Sequence, residues 1–319
     1  MKKLSLAGVL ALALAAPAFA QTATVPIVVK DTTSPFWQTV MAGACRAEEE
    51  LGIAVPRLGP TSEADIAGQI AVLENAVAGS PAAVVIAPTS FDGLAAAVDE
   101  AADSVPVVGI DSMADSDKFT SFLTTDNVEG GRMAARALGD AMAAQFGEAS
   151  GQVAIVSFIS GPSSLRDRIA GFEEVIAADY PDLEIVTTRI GDGQTTTNLN
   201  QTIDMLSAFP DVRGIFADAL FSGLGVGQAL AESGRQDEIV AVSFDSSEQL
   251  VEWTESGVIK ALVVQDPFRM GYDGVKTAYA ASQGEEVEAQ IDTGANLITA
   301  DNIGEARAQE LLNPDLSCL

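Results

Sequence analysis

The sequence predicts an α/β protein made of two doubly wound parallel-sheet lobes. Short apolar runs alternate with segments whose apolar residues recur every three or four positions, the βαβα rhythm of parallel sheets covered on both faces. That rhythm runs once through the first half of the chain and restarts in the second. The halves also share a stretch in register: Lys30-Asp-Thr-Thr-Ser-Pro-Phe-Trp leads to Ala42-Gly43-Ala44, and Phe158-Ile-Ser-Gly-Pro-Ser-Ser-Leu leads to Ala170-Gly171-Phe172, 128 residues further on. A length of 319 residues is ample for two cores. No Pro-, Gly- or Ser-rich linker divides them, so the segments crossing between lobes are expected to be short.

The first strand, Pro26 to Val29, feeds a polar loop, Lys30 to Ser34. Ser34 suits a helix N-cap and Pro35 the first helical position, where a missing N–H costs nothing. Phe36 and Trp37 follow at once. Further strands are expected at Ile53 to Leu58, Ala82 to Ile86, Val105 to Ile110 and Ser121 to Thr124, with helices at Ala64 to Ala78 and Leu94 to Ala102. After a helix from Val128 to Phe146 the second series runs Val153 to Phe158, Glu184 to Thr188, Gly214 to Ala217, Ile239 to Phe244 and Ile259 to Val264, with helices between.

Lys2 and Lys3, the apolar run Leu4 to Ala16 and Ala18-Phe19-Ala20 form a secretory leader, residues 1–20, cleaved near Ala20. A soluble periplasmic protein is expected. The formal net charge is −28, or −30 without Lys2 and Lys3. So acidic a chain repels nucleic acid and anionic membranes, which excludes both as main partners. There is no histidine, which removes Ser-His-Asp and Cys-His nucleophile systems and most zinc sites. No phosphate-cradling loop is present. Gly223-Leu-Gly225-Val-Gly227 lacks the last glycine of a dinucleotide fingerprint, and Asp111 to Asp117 lacks the Gly and Glu of a calcium loop. No cofactor, no metal and no enzymatic activity are therefore expected; the one hydrolytic chemistry left open is a carboxylate pair such as Asp111 and Asp245. Two cysteines, Cys45 and Cys318, are candidates for a disulfide in an oxidising compartment.

Polar residues gather at predicted carboxyl ends of strands, where open α/β sheets bind ligands. They are Lys30 and Ser34, Asp111 and Ser112, Asp218, Asp245 and Gln265, with Arg168 early in a helix and Phe36 and Trp37 beside them. Any one of these could merely cap a helix. As a set they suit a polyol: carboxylates accept hydroxyl hydrogens, Lys and Arg donate to hydroxyl oxygens, and flat rings pack on the C–H face of a sugar.

The chain resembles the periplasmic sugar-binding proteins of ABC importers, in the type I ribose/allose/galactose-binding cluster, over nearly its whole mature length. The markers are Ser34-Pro35-Phe36-Trp37, Ile86-Ala87-Pro88-Thr89, Val108-Gly109-Ile110-Asp111, Thr125-Asp126-Asn127 with Gly130-Gly131, Arg168 before Gly171-Phe172, Phe209-Pro210-Asp211-Val212, Phe244-Asp245 and Val264-Gln265. The resemblance implies Rossmann-like lobes joined by a three-strand hinge near Thr125-Asp126, Gln265-Asp266 and Asp292-Thr293. That gives an N-terminal lobe of residues 21–125 plus 266–292 and a C-terminal lobe of 126–265 plus 293–319. It also implies a sugar held between the lobes by Lys30, Ser34, Phe36, Trp37, Asp111, Arg168, Asp245 and Gln265. Lysine at position 30 looks like the allose-binding branch. Ser112 stands where relatives often carry arginine, a second-lobe aromatic is replaced near Gly193, and Ala219, with Asp218 beside it, replaces a usual asparagine. The tail from Gly304 is longer than in shorter relatives and is expected to run back across the hinge, bringing Cys318 towards Cys45.

The function these readings predict is a monomeric periplasmic solute-binding protein that captures a monosaccharide or polyol and delivers it to an ABC permease in the inner membrane. The alternative is a ligand sensor whose closed form docks on a membrane receptor kinase or chemoreceptor.

Overall fold

A computed structural model describes residues 22–319; the expected leader, residues 1–20, lies outside them. Two six-stranded sheets organise the chain. The first contains β1 (Ile27–Val28), β2 (Arg57–Leu58), β3 (Val84–Ile86), β4 (Val107–Ile110), β5 (Ser121–Thr124) and β11 (Gln290–Asp292), in the order β11-β5-β4-β3-β1-β2. The second contains β6 (Gly151–Ser157), β7 (Leu183–Ile190), β8 (Val212–Ala217), β9 (Val240–Phe244), β10 (Ala261–Gln265) and β12 (Ala295–Ile298), in the order β12-β10-β9-β8-β6-β7. The two orders correspond strand for strand. The fold is thus the doubled α/β architecture that the restarting pattern predicts.

The first strands are shorter than the apolar runs suggest. Pro26 and Pro56 have no N–H to give a ladder, yet Val25, Ile27 and Val29 still donate to the carbonyls of Ala54, Pro56 and Leu58 at 2.8–2.9 Å. One strand departs from the parallel expectation: β12 pairs antiparallel with β10. The connection accounts for it. β11 runs parallel to β5 and leaves the first sheet at its carboxyl edge, and β12 begins after only Thr293 and Gly294. A parallel entry into the second sheet would need a crossover of a dozen or more residues, so β12 runs against its neighbour.

Helices cover both faces of each sheet. Of those that matter here, α1 (Pro35–Leu51) packs on α9 (Pro267–Ser282), and α4 (Asn127–Phe146) packs on α5 (Ser163–Asp179). The shared Ala-Gly step sits at both crossings. A Cβ at Gly43 would stand 1.9 Å from the Phe268 carbonyl oxygen, and one at Gly171 would stand 1.9 Å from that of Val128. Only glycine allows backbones this close. Apolar side chains fill both faces of the first sheet, around Val40 and Val275 on one and Leu73 and Val98 on the other. The second sheet is covered in the same way, around Leu230 and Leu250 and around Leu138 and Phe172.

The chain passes between the sheets three times. From β5 it crosses at 125–126 into α4, from β10 at 265–266 into α9, and from β11 at 293–294 into β12. Asp126 caps α4 by accepting from the Glu129 N–H, and Asp266 caps α9 by accepting from that of Arg269. α10 (Ala306–Leu312) lies on the second sheet's core through Ala308 and Leu311. Beyond it the tail returns to the first lobe, where Cys318 is joined to Cys45 of α1 with the Cα atoms 6.0 Å apart. Among the described residues no helix is long and apolar enough to cross a membrane.

Candidate functional site

The carboxyl ends of the two sheets face each other. Between them lies a cavity lined by Lys30, Ser34, Phe36, Trp37, Glu63 and Asp111 from the first lobe and by Phe158, Ser164, Arg168, Phe221, Asp245 and Gln265 from the second, with Pro162, Leu165, Ala219 and Leu220 completing the wall. Eight of the ten residues singled out in the sequence therefore share one hollow. The lobes also touch directly at its rim: the Ser112 and Ser164 hydroxyls are 2.8 Å apart, Met113 N–H donates to Ser163 Oγ at 2.8 Å, and Phe91 N–H donates to the Gly161 carbonyl at 3.0 Å.

Lys30 follows β1 and is buried. Its ammonium donates to Asp111 Oδ2 and to Ser112 Oγ, each at 2.6 Å, and stands 5.5 Å from the Trp37 ring. Asp111 ends β4 with φ 62°, the left-handed region. On the other side Arg168, from α5, donates through Nε to Asn127 Oδ1 at 2.9 Å and through Nη1 to the Asp218 carbonyl at 2.8 Å. Its guanidinium lies 4.0 Å from the Phe244 ring centroid, and Nη1 lies 4.0 Å from Asp245 Oδ2. Asp245 accepts from Gln265 Nε2 at 2.7 Å and from the Leu220 N–H at 3.1 Å. Burial pushes the Asp245 carboxyl above its usual value, opposed by the positive charge of Arg168. The buried Gln265 Oε1 has no partner among the described residues; an acceptor held in a polar hollow is a seat for a hydroxyl hydrogen.

Aromatic rings form the remaining wall. Phe36 meets Trp37 edge to face, centroids 4.9 Å apart, and Phe158 lies 5.1 Å from Phe221. Ser34 occupies the N-cap of α1 but its side chain makes no capping bond, so its hydroxyl is not committed to the helix.

Two of the ten residues lie elsewhere. Ser112 is fully buried behind Asp111, where its hydroxyl accepts from the Lys30 ammonium, donates to Asp111 Oδ2 and meets Ser164. Its hydroxyl is thus spent on Lys30, Asp111 and Ser164, and Asp111 alone of the two lines the hollow. Asp218 is likewise fully buried behind the wall, and its Oδ1 accepts from the Phe158 N–H and the Ser222 hydroxyl. Burial raises its carboxyl to about 6. Conversely, Glu63, Phe158, Ser164 and Phe221 were not singled out in the sequence. Phe158 closes an apolar run and reads as core, while Glu63 stands in a loop before α2 (Ile66–Ala78) with no strand end to mark it. Among the described residues no cluster of His, Cys, Asp or Glu could hold a metal ion.

Twin α/β lobes closing on a polar, aromatic-walled hollow define a receptor for small solutes. Residues 25–286 match the family described as periplasmic binding protein domain. Over 303 residues the chain is 31% identical to the ribose import binding protein of Haemophilus influenzae, covering 94% of this chain and 100% of that one. Among solved structures, a carbohydrate transporter solute-binding protein from Agrobacterium radiobacter in complex with D-arabinose is 50% identical with a TM-score of 0.91, covering 93% of this chain and 100% of that one. An ABC transporter solute-binding protein from Agrobacterium vitis with bound D-fucose is 36% identical with a TM-score of 0.85, covering 91% and 99%. The chain belongs to the periplasmic binding protein family, on its type I fold, and like these relatives it is a binding protein and not an enzyme.

Proposed function

We propose that the protein captures a neutral monosaccharide in the interlobe hollow, in the periplasm, and delivers it as a monomer to an ABC permease of the inner membrane. The single observation that carries this reading is the convergence of Lys30, Asp111, Arg168, Asp245 and Gln265, from two lobes, on one cavity walled by aromatic rings. In this reading Asp111, Asp245 and the Gln265 carbonyl accept ligand hydroxyls, Lys30 and Arg168 donate, and Phe36, Trp37, Phe158 and Phe221 pack on the ring. Each charge-assisted bond that survives desolvation contributes ~1.5–3 kcal/mol, so three or four suffice for micromolar affinity, about −8 kcal/mol. Ligand contacts from both lobes favour the closed arrangement, which is the differential affinity a population shift requires.

The relative at 50% identity holds D-arabinose and the one at 36% holds D-fucose. Both are uncharged monosaccharides, and D-arabinose is the first candidate here. Calorimetry against a panel of aldoses, ketoses and polyols tests the reading. Binding of one or a few neutral sugars at micromolar concentration is expected, and silence across the panel at millimolar concentration would overturn it.

A further inference from the structure

The cavity wall carries two cations and three carboxylates: Lys30, Arg168, Glu63, Asp111 and Asp245. Four of them form two pairs, Lys30 with Asp111 at 2.6 Å and Arg168 with Asp245 at 4.0 Å. Glu63 is the fifth. Its side-chain partner is neutral: Oε1 accepts from Trp37 Nε1 at 2.7 Å. Among the described residues its other oxygen, Oε2, has no hydrogen-bond donor, and no cation stands within ion-pair distance. Both cations of the wall already give protons elsewhere, Lys30 to Asp111 and Ser112, Arg168 to Asn127 and the Asp218 carbonyl. The loop that carries Glu63 also meets the second lobe, since a Cβ at Gly193 would stand 3.8 Å from that of Ala64. Glu63 thus joins the hollow where the two lobes come together.

Resting on the sugar-binding reading, we propose that Glu63 is a ligand-contacting residue that sets specificity: it holds the Trp37 ring with one carboxylate oxygen and accepts a hydroxyl of the bound monosaccharide with the other. A carboxylate whose second oxygen has no donor on the chain gains one when a polyol enters. Glu63 is half-buried, so a ligand lacking that hydroxyl covers the free oxygen without giving it a donor in place of water, and discrimination of that kind is strong.

The test separates holding the ring from contacting the ligand. In Glu63→Gln the amide oxygen still accepts from Trp37 Nε1, but the group facing the ligand becomes a donor. Glu63→Ala removes both interactions. The probes are D-arabinose, D-fucose and the monodeoxy analogues of whichever binds wild-type protein, measured by calorimetry, with circular dichroism melting to confirm that both variants fold. Glu63→Gln is expected to weaken binding of the parent sugar by roughly ten- to a hundredfold. One monodeoxy analogue, penalised at least roughly tenfold by wild-type protein, is expected to lose that penalty in both variants. If Glu63→Gln binds the parent sugar and every analogue as wild-type protein does, the side chain only steadies Trp37 and the inference falls while the receptor reading stands. If wild-type protein binds neither sugar nor any other of the neutral panel, both fall.

Discussion

Asp111 and Asp245 occupy matching places in the two lobes and share one unusual backbone. Each follows the fourth strand of its sheet, each has a left-handed φ, 62° and 65°, and each donates its N–H at 2.9 Å to the neighbouring strand, Asp111 to the Leu123 carbonyl and Asp245 to that of Val263. Among the described residues Ser80 is the only other non-glycine with positive φ. Such a conformation costs about 1–3 kcal/mol for a residue with a Cβ and persists where its surroundings enforce it. Here the turn swings each carboxylate from the end of its strand into the cavity and next to a cation, which links the strain directly to the proposed site.

Asp111→Asn isolates the charge, because asparagine tolerates the left-handed turn. It leaves the Lys30 ammonium buried without its counter-charge. Breaking a buried pair by removing one partner costs about 3–5 kcal/mol. Urea denaturation is expected to show a loss of that size, and adding Lys30→Met to Asp111→Asn is expected to recover most of it. Equal stability of the single variant and wild-type protein would mean that the pair is not what holds this strand end.

Asp245→Ala removes a proposed ligand acceptor together with the partner of Gln265 Nε2 and of the Leu220 N–H. Affinity for the sugar that binds wild-type protein is expected to fall at least roughly tenfold, about 1.4 kcal/mol. Calorimetry reads this directly, and unchanged affinity would remove Asp245 from the ligand set.

The two Ala-Gly steps predict matched behaviour in the two lobes. A Cβ at Gly43 or at Gly171 would overlap a carbonyl oxygen of the partner helix at 1.9 Å. Neither helix can yield without moving its whole packed face, so Gly43→Ala and Gly171→Ala are each expected to cost about 1–3 kcal/mol or more. Gly52→Ala is the control: it meets nothing within 4 Å and carries only its φ of +64°. A control as costly as the two crossing variants would show that backbone conformation, not helix contact, sets the loss.

Gly43 and Gly171 also show how much of the fold was legible. The 128-residue register between them marks equivalent helix crossings, and Ser121 to Thr124 has the same bounds as the observed β5. Legibility failed where a local rule outweighed the apolar pattern. Pro26 and Pro56 shortened β1 and β2, and the short passage through Thr293 and Gly294 reversed β12. Of the ten residues chosen from the sequence, eight line the cavity and two, Ser112 and Asp218, do not. Asp111 reaches the hollow through its left-handed turn, while Ser112 and Asp218 are fully buried and spend their oxygens on neighbouring protein groups. Glu63 left no trace in the periodicity, because a loop side chain brought in by tertiary packing has no period to reveal it.

The link between Cys45 and Cys318 ties the end of the chain, beyond α10, back to α1. It closes a loop of 273 residues, so its main effect is to restrict the unfolded chain. Cys318→Ser is expected to lower stability by about 2–5 kcal/mol. α10 keeps its own apolar contacts through Ala308 and Leu311, so the cavity residues stay in place and sugar affinity should change less than stability does. Denaturation with and without reductant checks this: reductant should destabilise wild-type protein to the level of the variant and leave the variant unaffected.

Asp218 makes stability depend on pH in an unusual direction. Burial raises its carboxyl to about 6, so the fold favours the neutral form, whereas an unfolded aspartate ionises near pH ~4. Below about pH 4 both states are protonated and the contribution is fully present. As pH rises from there towards 6 the unfolded chain releases its proton first, and the fold loses stability across that window on the order of 3 kcal/mol, with no further change above it. Other carboxylates titrate over the same range, so the difference between wild-type protein and Asp218→Asn is the quantity to follow. Asparagine keeps an oxygen for the Phe158 N–H and the Ser222 hydroxyl but carries no charge. Urea denaturation at intervals from about pH 4 to about pH 8 should show wild-type protein losing ground to Asp218→Asn until about pH 6 and holding level thereafter. A difference that stays constant over the whole range would mean that Asp218 is already ionised in the folded protein at the acid end, and that its polar neighbours outweigh its burial.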